Sequence, residues 1–190
     1  MNDSLNSSGA AYGYEIAAHQ MPSDGTALPQ SAIELAIARG YAHEVVRTRN
    51  KITEVGLSVI SRLMGFAYNS PSVFNVGPVV SAPVLELTDL RVATMRFGDT
   101  AGVAAPASTD YQLAGNLLYA SRILLVQYAS SYNKVSWAGV LPADIGGGAV
   151  LAEEGLFTTL PAMVARTTFV HAVTPGKAFQ YTHTLTFTAA

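Results

Sequence analysis

The amino-acid sequence predicts a mainly β protein, an antiparallel, jelly-roll-like β-sandwich with one or two N-terminal helices and an extended N-terminal arm. The strongest observation is the segment 179–187, in which large side chains alternate with glutamine and threonine. A period of two is typical of a strand with one buried and one solvated face. After residue 72, turn-forming residues separate seven candidate strands. A series of short strands of this kind is typical of a sandwich or a jelly-roll-like barrel.

The composition predicts one domain that does not enter a membrane. The chain has 190 residues, which is enough for one well-buried core but short for two. Hydrophobic residues make up 49% of it, yet no apolar run approaches the roughly 18 residues that a membrane span requires. Charged residues make up only 13%, which favours a surface that neighbouring subunits cover.

Several kinds of site are excluded by residues that the sequence lacks or scatters. The chain has no cysteine, so disulfides, thiolate metal sites and cysteine nucleophiles are excluded. Its 11 basic and 13 acidic residues include no basic cluster, so we expect no nucleic-acid partner. The first residues have neither the basic start nor the apolar core of a secretory signal, so we expect synthesis in the cytoplasm.

Residues 1–30 predict an extended arm, followed by a single sandwich domain at 31–190. The arm is rich in Ser, Asn, Gly, Ala and Pro and shows the period of neither a helix nor a strand. Alone, such a segment buries too little apolar surface to offset the entropy of ordering it. Two interpretations stay open, a disordered tail and an arm that lies on a neighbouring subunit. In the second, the interface residues are Tyr12, Tyr14, Ile16 and Met21.

Two helices are predicted at the start of the domain, at 31–47 and 50–64. Ser31 and Glu34 have the spacing of a capping box, which begins the first helix. Asn50 begins the second helix, in which apolar residues recur at helical spacing and after which a glycine follows. Each helix is expected to pack its apolar face on a sheet.

The strands predicted from residue 72 onward are separated by Gly, Pro, Asn, Asp or Ser. The segments are 73–80, 84–97, 117–129, 134–141, 150–157, 163–172 and 178–188. The second segment is long enough to hold two strands. Pro175 and Gly176 occupy the central positions of a type II turn, so the last two segments are expected to pair as a hairpin.

Glu153 and Glu154 form the most suggestive carboxylate pair. Adjacent residues of a strand point to opposite faces, so the two cannot act together on one substrate. A buried carboxylate needs a charged or hydrogen-bonding partner, and Arg166 on the following strand is the nearest candidate in the sequence. We therefore predict a structural pair between Glu154 and Arg166, without a catalytic role.

Other candidates for chemistry are sparse. The histidines, His19, His43, His171 and His183, show no zinc-ligand spacing. Two glycine-rich loops, at 98–102 and 146–148, lack the lysine of a phosphate-binding loop and the strand-to-helix context of a dinucleotide fingerprint. The sequence therefore predicts a protein that is not an enzyme, with no catalytic residue, metal or cofactor.

Five short sequence blocks follow one another along the chain. They are Asn-Lys-Ile-Thr-Glu-Val-Gly-Leu at 50–57, Phe-Gly-Asp-Thr at 97–100, Pro-Ala-Ser-Thr-Asp-Tyr-Gln-Leu at 106–113, Glu-Glu-Gly-Leu-Phe at 153–157 and Ala-Arg-Thr-Thr-Phe at 165–169. In these blocks, over about residues 50–188, the chain resembles a group of small bacteriophage virion proteins and the N-terminal attachment domains of some tail-fibre and tail-collar proteins. It departs from their pattern at Glu154, where the family more often has a small or apolar residue.

This resemblance implies a non-enzymatic, β-rich building block of a phage particle, located in the virion. Its partners would be copies of itself and other virion proteins, namely tail, neck or capsid subunits. Within the particle, the chain is expected to be an adaptor at the tail, neck or baseplate that supports fibre attachment. The alternative is a decoration protein that cements the capsid.

A further alternative is a carbohydrate-binding module of lectin type. Such modules are often β-sandwiches that present aromatic side chains on which sugars stack. The candidate platform consists of Tyr111, Tyr119, Tyr128, Tyr132 and Trp137.

Overall fold

The computed structural model is a β-sandwich in which two antiparallel five-stranded sheets, here called sheet A and sheet B, pack together. The predicted fold class is therefore confirmed. The structure describes residues 6–49, 51–54, 56–57, 59, 72–75, 81–84, 91–99, 104–122, 125–128 and 134–188.

Along the chain, runs of consecutive strands belong to one sheet before the chain crosses to the other. Sheet A contains β1 (Asn6–Ala17), β2 (Ala42–Arg49), β8 (Leu125–Tyr128), β9 (Lys134–Leu141) and β12 (Lys177–Thr188), in the spatial order β2-β1-β12-β9-β8. Sheet B contains β3 (Lys51–Ile52), β6 (Val92–Gly98), β7 (Leu117–Arg122), β10 (Val150–Thr158) and β11 (Met163–Ala172), in the order β3-β11-β10-β6-β7. A separate two-stranded pair consists of β4 (Ser72–Asn75) and β5 (Ser81–Val84).

Helical segments are short. Helix α1 spans Gln30–Ala38, a 3-10 turn spans Ala18–Gln20 and a single helical turn spans Ala143–Gly146. The second predicted helix, at 50–64, is wrong at its start, because Lys51–Ile52 form β3. Residues 54, 56, 57 and 59 are helical, and residues 50, 55, 58 and 60–64 lie outside the described residues.

Aromatic side chains fill the space between the sheets. Phe97 of β6 meets Phe179 and Tyr181 of β12 edge to face, with centroids 6.0 and 6.4 Å apart. Phe169 of β11 stacks on Tyr181 at 5.1 Å. Burying large rings of this kind dominates the apolar contribution to a core, and the ring pairs add about 0.5–1.5 kcal/mol each.

The N-terminal segment differs from the predicted arm, because β1 lies inside sheet A. It pairs with β12 on one side and with β2 on the other. A Cβ on Gly13 would lie 2.7 Å from the Phe179 ring, so glycine lets the strand approach the core. Tyr14 and Ile16, on the outer face, pack beneath α1. Because the inner face of β1 carries small residues, the sequence does not show the alternation of large apolar and polar residues by which a strand is predicted.

Residues 18–29, here called the strap, connect β1 to α1 across the outer face of sheet A. The fully buried side-chain oxygen of Gln180 accepts a hydrogen bond from the Leu28 amide at 2.7 Å, and its nitrogen donates one to the Leu28 carbonyl at 2.8 Å. Ala27 packs with Val140 and Ala178 of the sheet. The described part of the predicted arm therefore belongs to the chain's own sandwich.

The predicted helix at 31–47 is wrong in its second half, which forms β2. Gly40 adopts φ 74°, and the Tyr41 amide donates to the Ala36 carbonyl at 2.9 Å, so the helix ends where the sequence has its glycine. The predicted capping box is also wrong. The residue at the helix N-cap is Pro29, and no side chain caps the helix there.

The predicted C-terminal hairpin is wrong in its pairing, although its turn forms. Gly176 has φ 76°, and the Lys177 amide donates to the Thr174 carbonyl at 3.1 Å. However, β11 pairs with β10 and β3, whereas β12 pairs with β1 and β9. The turn carries the chain from sheet B to sheet A, because the apolar faces of both strands are buried more fully when they face one another across the core.

Among the described residues, hydrogen bonds join the two sheets along their sides. On one side, the Ser121 hydroxyl of β7 accepts a hydrogen bond from the Val140 amide of β9 at 2.9 Å. Val140 lies beyond the part of β9 that pairs with β8, so its amide is not used in that pairing. On the other, the Thr167 hydroxyl of β11 donates to the Arg49 carbonyl of β2 at 3.2 Å. Backbone groups at the edges of the sheets thus find partners within the fold.

Candidate functional site

Arg166 lies at the centre of the main cluster of charged residues. Its Nε is 2.8 Å from Glu153 Oε2, and its Nη1 is 2.6 Å from Asp110 Oδ2. Arg166 and Glu153 are buried, with side chains 2% and 0% exposed. We call these three residues the Arg166 network.

The Arg166 network fastens the loop at 104–116, here called the covering loop, to sheet B. Asp110 belongs to this loop, and the backbone amides of Ala114 and Gly115 donate to the Glu153 carboxylate at 3.2 and 2.6 Å. Glu153 therefore has one guanidinium and two amides as partners. These three partners offset the cost of burying the Glu153 carboxylate, and an arginine alone would satisfy less of it.

The predicted pair of Glu154 with Arg166 is wrong. In the register of β10 and β11, Glu154 lies opposite Thr167, and Arg166 lies opposite Gly155, so the two predicted partners lie on opposite faces of sheet B. Glu154 instead points into the core, where its Oε2 is 2.8 Å from Nδ1 of His183 on β12. Sequence proximity pointed to Arg166, but only the register decides which glutamate faces it.

The Glu154–His183 pair joins the two sheets in the middle of the core. Both side chains are 0% exposed. Burial raises the pKa of Glu154, and the nearby His183 offsets part of that rise. Glu154 Oε1 and His183 Nε2 have no hydrogen-bond partner among the described residues. Burial, followed by the charge of Glu154, also raises the pKa of Tyr181 well above its ordinary value.

A third polar cluster, around Glu15, lies where β1 and β2 meet β11. Glu15 Oε1 is 3.0 Å from His171 Nε2 and accepts the Thr174 amide at 2.6 Å, while its Oε2 is 3.5 Å from His43 Nε2. Burial alone would raise the pKa of Glu15, but the hydrogen bonds from Thr174 and His171 outweigh it and lower the pKa. No local sequence pattern indicates this cluster, because Glu15 and His171 are 156 residues apart along the chain.

The predicted interface residues of the arm have different environments. Tyr14 and Ile16 are 5% and 0% exposed within the chain's own fold, so they are not surface anchors in this structure. Met21 is partly buried against α1 and sheet A. Tyr12 and Tyr14 border an open groove on the outer face of sheet A, and Tyr12 is the more exposed of the two.

This groove, here called the sheet A groove, has a volume of about 570 Å³. It lies beside α1, above β1, β2, β9 and β12. The residues that line it are Tyr12, Tyr14, Gln30, Ile37, Glu44, Arg47, Lys134, Ser136, Thr182 and Thr184. Its volume lies within the range of about 300–1,000 Å³ that is usual for small-molecule sites.

The tyrosine and tryptophan residues suggested as a sugar-binding platform do not form one surface among the described residues. Tyr119 and Trp137 pack against the core between the sheets, whereas Tyr111 is 37% exposed. Tyr111 lies in the covering loop on sheet B. The side chain of Tyr128 and all of Tyr132 lie outside the described residues.

The three polar clusters bind parts of the fold to one another. Each charged member described above has its partner inside the sandwich or in the covering loop. Among the described residues, no group of three metal-ligating side chains is arranged to hold an ion. In this arrangement the ionisable groups are structural links between parts of the fold.

Comparison of the chain with protein-family models, curated protein sequences and solved structures found no match in any of the three. In the described parts of the chain, no helix is long and apolar enough to span a membrane.

Proposed function

We propose that this chain is a non-enzymatic structural protein of a bacteriophage virion, an adaptor at the tail, neck or baseplate that docks on neighbouring subunits and supports fibre attachment. The proposal starts from the five sequence blocks that resemble phage virion proteins. The observation that carries it is that these blocks, although distant in the sequence, contact one another in the fold.

Three of the blocks meet in the Arg166 network. Glu153, Arg166 and Asp110 come from the blocks at 153–157, 165–169 and 106–113. A buried ion network of this kind is strongly destabilised when one member is lost, since the others are left as uncompensated buried charges. The three blocks therefore form a single structural unit.

The remaining two blocks join the same unit. Gly98, from the block at 97–100, packs so closely that a Cβ there would lie 2.8 Å from Glu153. Glu54, from the block at 50–57, accepts a hydrogen bond from Ser108 of the covering loop at 3.2 Å, and its amide donates to the Ser108 carbonyl at 2.7 Å. The resemblance thus falls on residues that build a shared scaffold, as expected of a building block.

Exposed apolar residues support docking on neighbours. Val150 and Val170, on the adjacent strands β10 and β11, expose 49% and 82% of their surface. Exposed valines on neighbouring strands favour contact with another subunit, particularly on a chain with 13% charged residues. This surface lies on the sandwich itself, whereas the N-terminal segment is occupied within the chain.

The test is the protein composition of purified particles of the phage that encodes the chain. Quantitative mass spectrometry should find the protein in particles, at a low copy number that matches the symmetry of the tail. A copy number close to that of the capsid protein would favour the alternative, a decoration protein. Absence from intact particles, with the protein present in the infected cell, would overturn the virion role.

A further inference from the structure

We propose that the sheet A groove is a binding site for an acidic oligosaccharide, a chain of sugars that carries a carboxylate. The groove is open to solvent, and its volume of about 570 Å³ suits a small-molecule ligand. It lies on the outer face of sheet A, and its lining includes none of the described aromatic side chains that the sequence suggested for sugar binding. This inference does not depend on a role in the virion.

The floor of the groove carries hydroxyl groups on adjacent strands. The hydroxyls of Ser136 on β9 and Thr184 on β12 are 2.8 Å apart and hydrogen-bonded to each other. Thr182 lines the floor one pleat further along β12. Hydroxyls act as both donors and acceptors, so a row of them suits a ligand whose own groups are hydroxyls.

One wall of the groove offers a stacking surface. The Tyr12 ring is partly buried, and the Arg47 guanidinium lies over it with its carbon 5.3 Å from the ring centroid. Arg47 is also fixed by Glu44, with Nε–Oε1 and Nη2–Oε2 distances of 2.9 and 3.1 Å. Both residues line the groove, so the guanidinium and the ring together give a sugar a pre-ordered surface, which reduces the entropy lost on binding.

The charges of the groove favour an acidic ligand. Arg47 and Lys134 contribute two positive charges and Glu44 one negative charge, so one positive charge is uncompensated. Lys134 is exposed and forms no ion pair with any residue that the structure describes. The whole chain has a net charge of −2, so the positive groove differs in sign from the protein that carries it. A sugar carboxylate near Lys134 would pair with this uncompensated positive charge.

The probe is a tetrasaccharide of uronic acids, and its carboxyl-reduced form is the neutral control. Isothermal titration calorimetry on the full chain should give saturable binding of the acidic form and weaker binding of the neutral one. Lys134→Gln should reduce affinity for the acidic form about fivefold to tenfold and leave affinity for the neutral form unchanged. Lys177→Gln, a lysine outside the groove, should change neither.

Tyr12→Ala should weaken both forms, because it removes the stacking surface. The unfolding midpoint of each variant shows whether it keeps its fold, and Lys134, being exposed, is expected to be replaced without loss of stability. Absence of binding of the acidic tetrasaccharide to the native chain at millimolar concentration would overturn the proposal. Equal affinity of native chain and Lys134→Gln for the acidic form would overturn it as well.

Discussion

Glu153 and Glu154 are neighbours in one strand, yet they occupy opposite faces of sheet B and meet different partners. Glu153 binds Arg166 and two backbone amides under the covering loop. Glu154 binds His183 between the sheets. At both positions a buried carboxylate is retained because a specific partner lies within hydrogen-bond distance, which makes the two residues separable by mutation.

Arg166→Ala should destabilise the protein by about 3–5 kcal/mol, because it leaves the buried Glu153 without its guanidinium. The free energy of unfolding from urea titration measures the effect. Arg47→Ala is the matched control, since the Arg47–Glu44 ion pair is exposed and should leave the unfolding midpoint almost unchanged. Comparable losses in the two variants would show that the Arg166 network is not a structural centre.

Glu154→Gln should gain stability relative to the native chain as the pH rises. The folded-state pKa of Glu154 is raised above its ordinary 4.5, so its contribution to stability is full below about pH 4.5 and is lost as the pH rises through the folded pKa. Glutamine keeps the size and one hydrogen bond but does not ionise. Urea unfolding of both chains across this pH range gives the difference. A difference that is constant with pH would contradict the assignment.

Glu15→Gln should behave in the opposite way. The folded-state pKa of Glu15 is lowered below 4.5, so its stabilising contribution is present above about pH 4.5 and is lost as the pH falls through the folded pKa. The stability deficit of the variant should therefore shrink on acidification. The same unfolding series measures it, and a deficit that grows towards low pH would show that the bonds from Thr174 and His171 do not favour the charged form.

At the scale of elements, the strands with regular alternation were predicted most closely. The predicted segments 134–141 and 163–172 coincide with β9 and β11, and 178–188 differs from β12 by one residue. Turn residues mark their ends and β-branched or aromatic residues fill them, so local sequence determines their extent. The predicted segment 84–97 shares only Val84 with β5 and contains β6 except for Gly98. Residues 85–90 lie outside the described residues, so the suggestion of two strands stays a prediction.

The elements that were missed depend on distant contacts. The strand β1 contains Gly13, whose lack of a side chain is explained by the Phe179 ring on β12 and by Val46 on β2. The strand β2 follows a glycine that was expected inside a helix. The partners in the candidate site are also distant from one another in the sequence. His183 is 29 residues from Glu154, and Asp110 is 56 residues from Arg166. Local patterns do not specify register, and bulges in β10–β11 pairing shift it further.

Gln180→Leu tests how the strap is held on sheet A. The variant removes both hydrogen bonds to Leu28 and leaves that backbone amide and carbonyl without their partner, so a loss of about 1–3 kcal/mol is expected. Hydrogen exchange at the Leu28 amide should accelerate. Exchange at β10, on the other sheet, serves as the internal control and should change only as far as global stability falls. Unchanged protection at Leu28 would mean that apolar packing alone secures the strap.

At the scale of the whole molecule, the N-terminal segment is an integral part of the sandwich. Deletion of residues 1–17 removes β1 and leaves β12 and β2 without their shared partner. We expect the truncated chain to lose its cooperative thermal transition, as monitored by circular dichroism, while Tyr12→Ala retains one. A truncated chain that still unfolded cooperatively near the native midpoint would instead support the dispensable arm that the sequence predicted.

The position of β12 has a consequence for synthesis on the ribosome. Of the described strands, β12 is the last to be synthesised, yet it lies in the middle of sheet A, between β1 and β9. Until residues 177–188 have left the exit tunnel, the sheet consists of two halves, β2-β1 and β9-β8, and each exposes an unpaired edge. Completion of the sheet therefore waits for β12, and nascent chains that stall before Lys177 should be the species most prone to associate with one another.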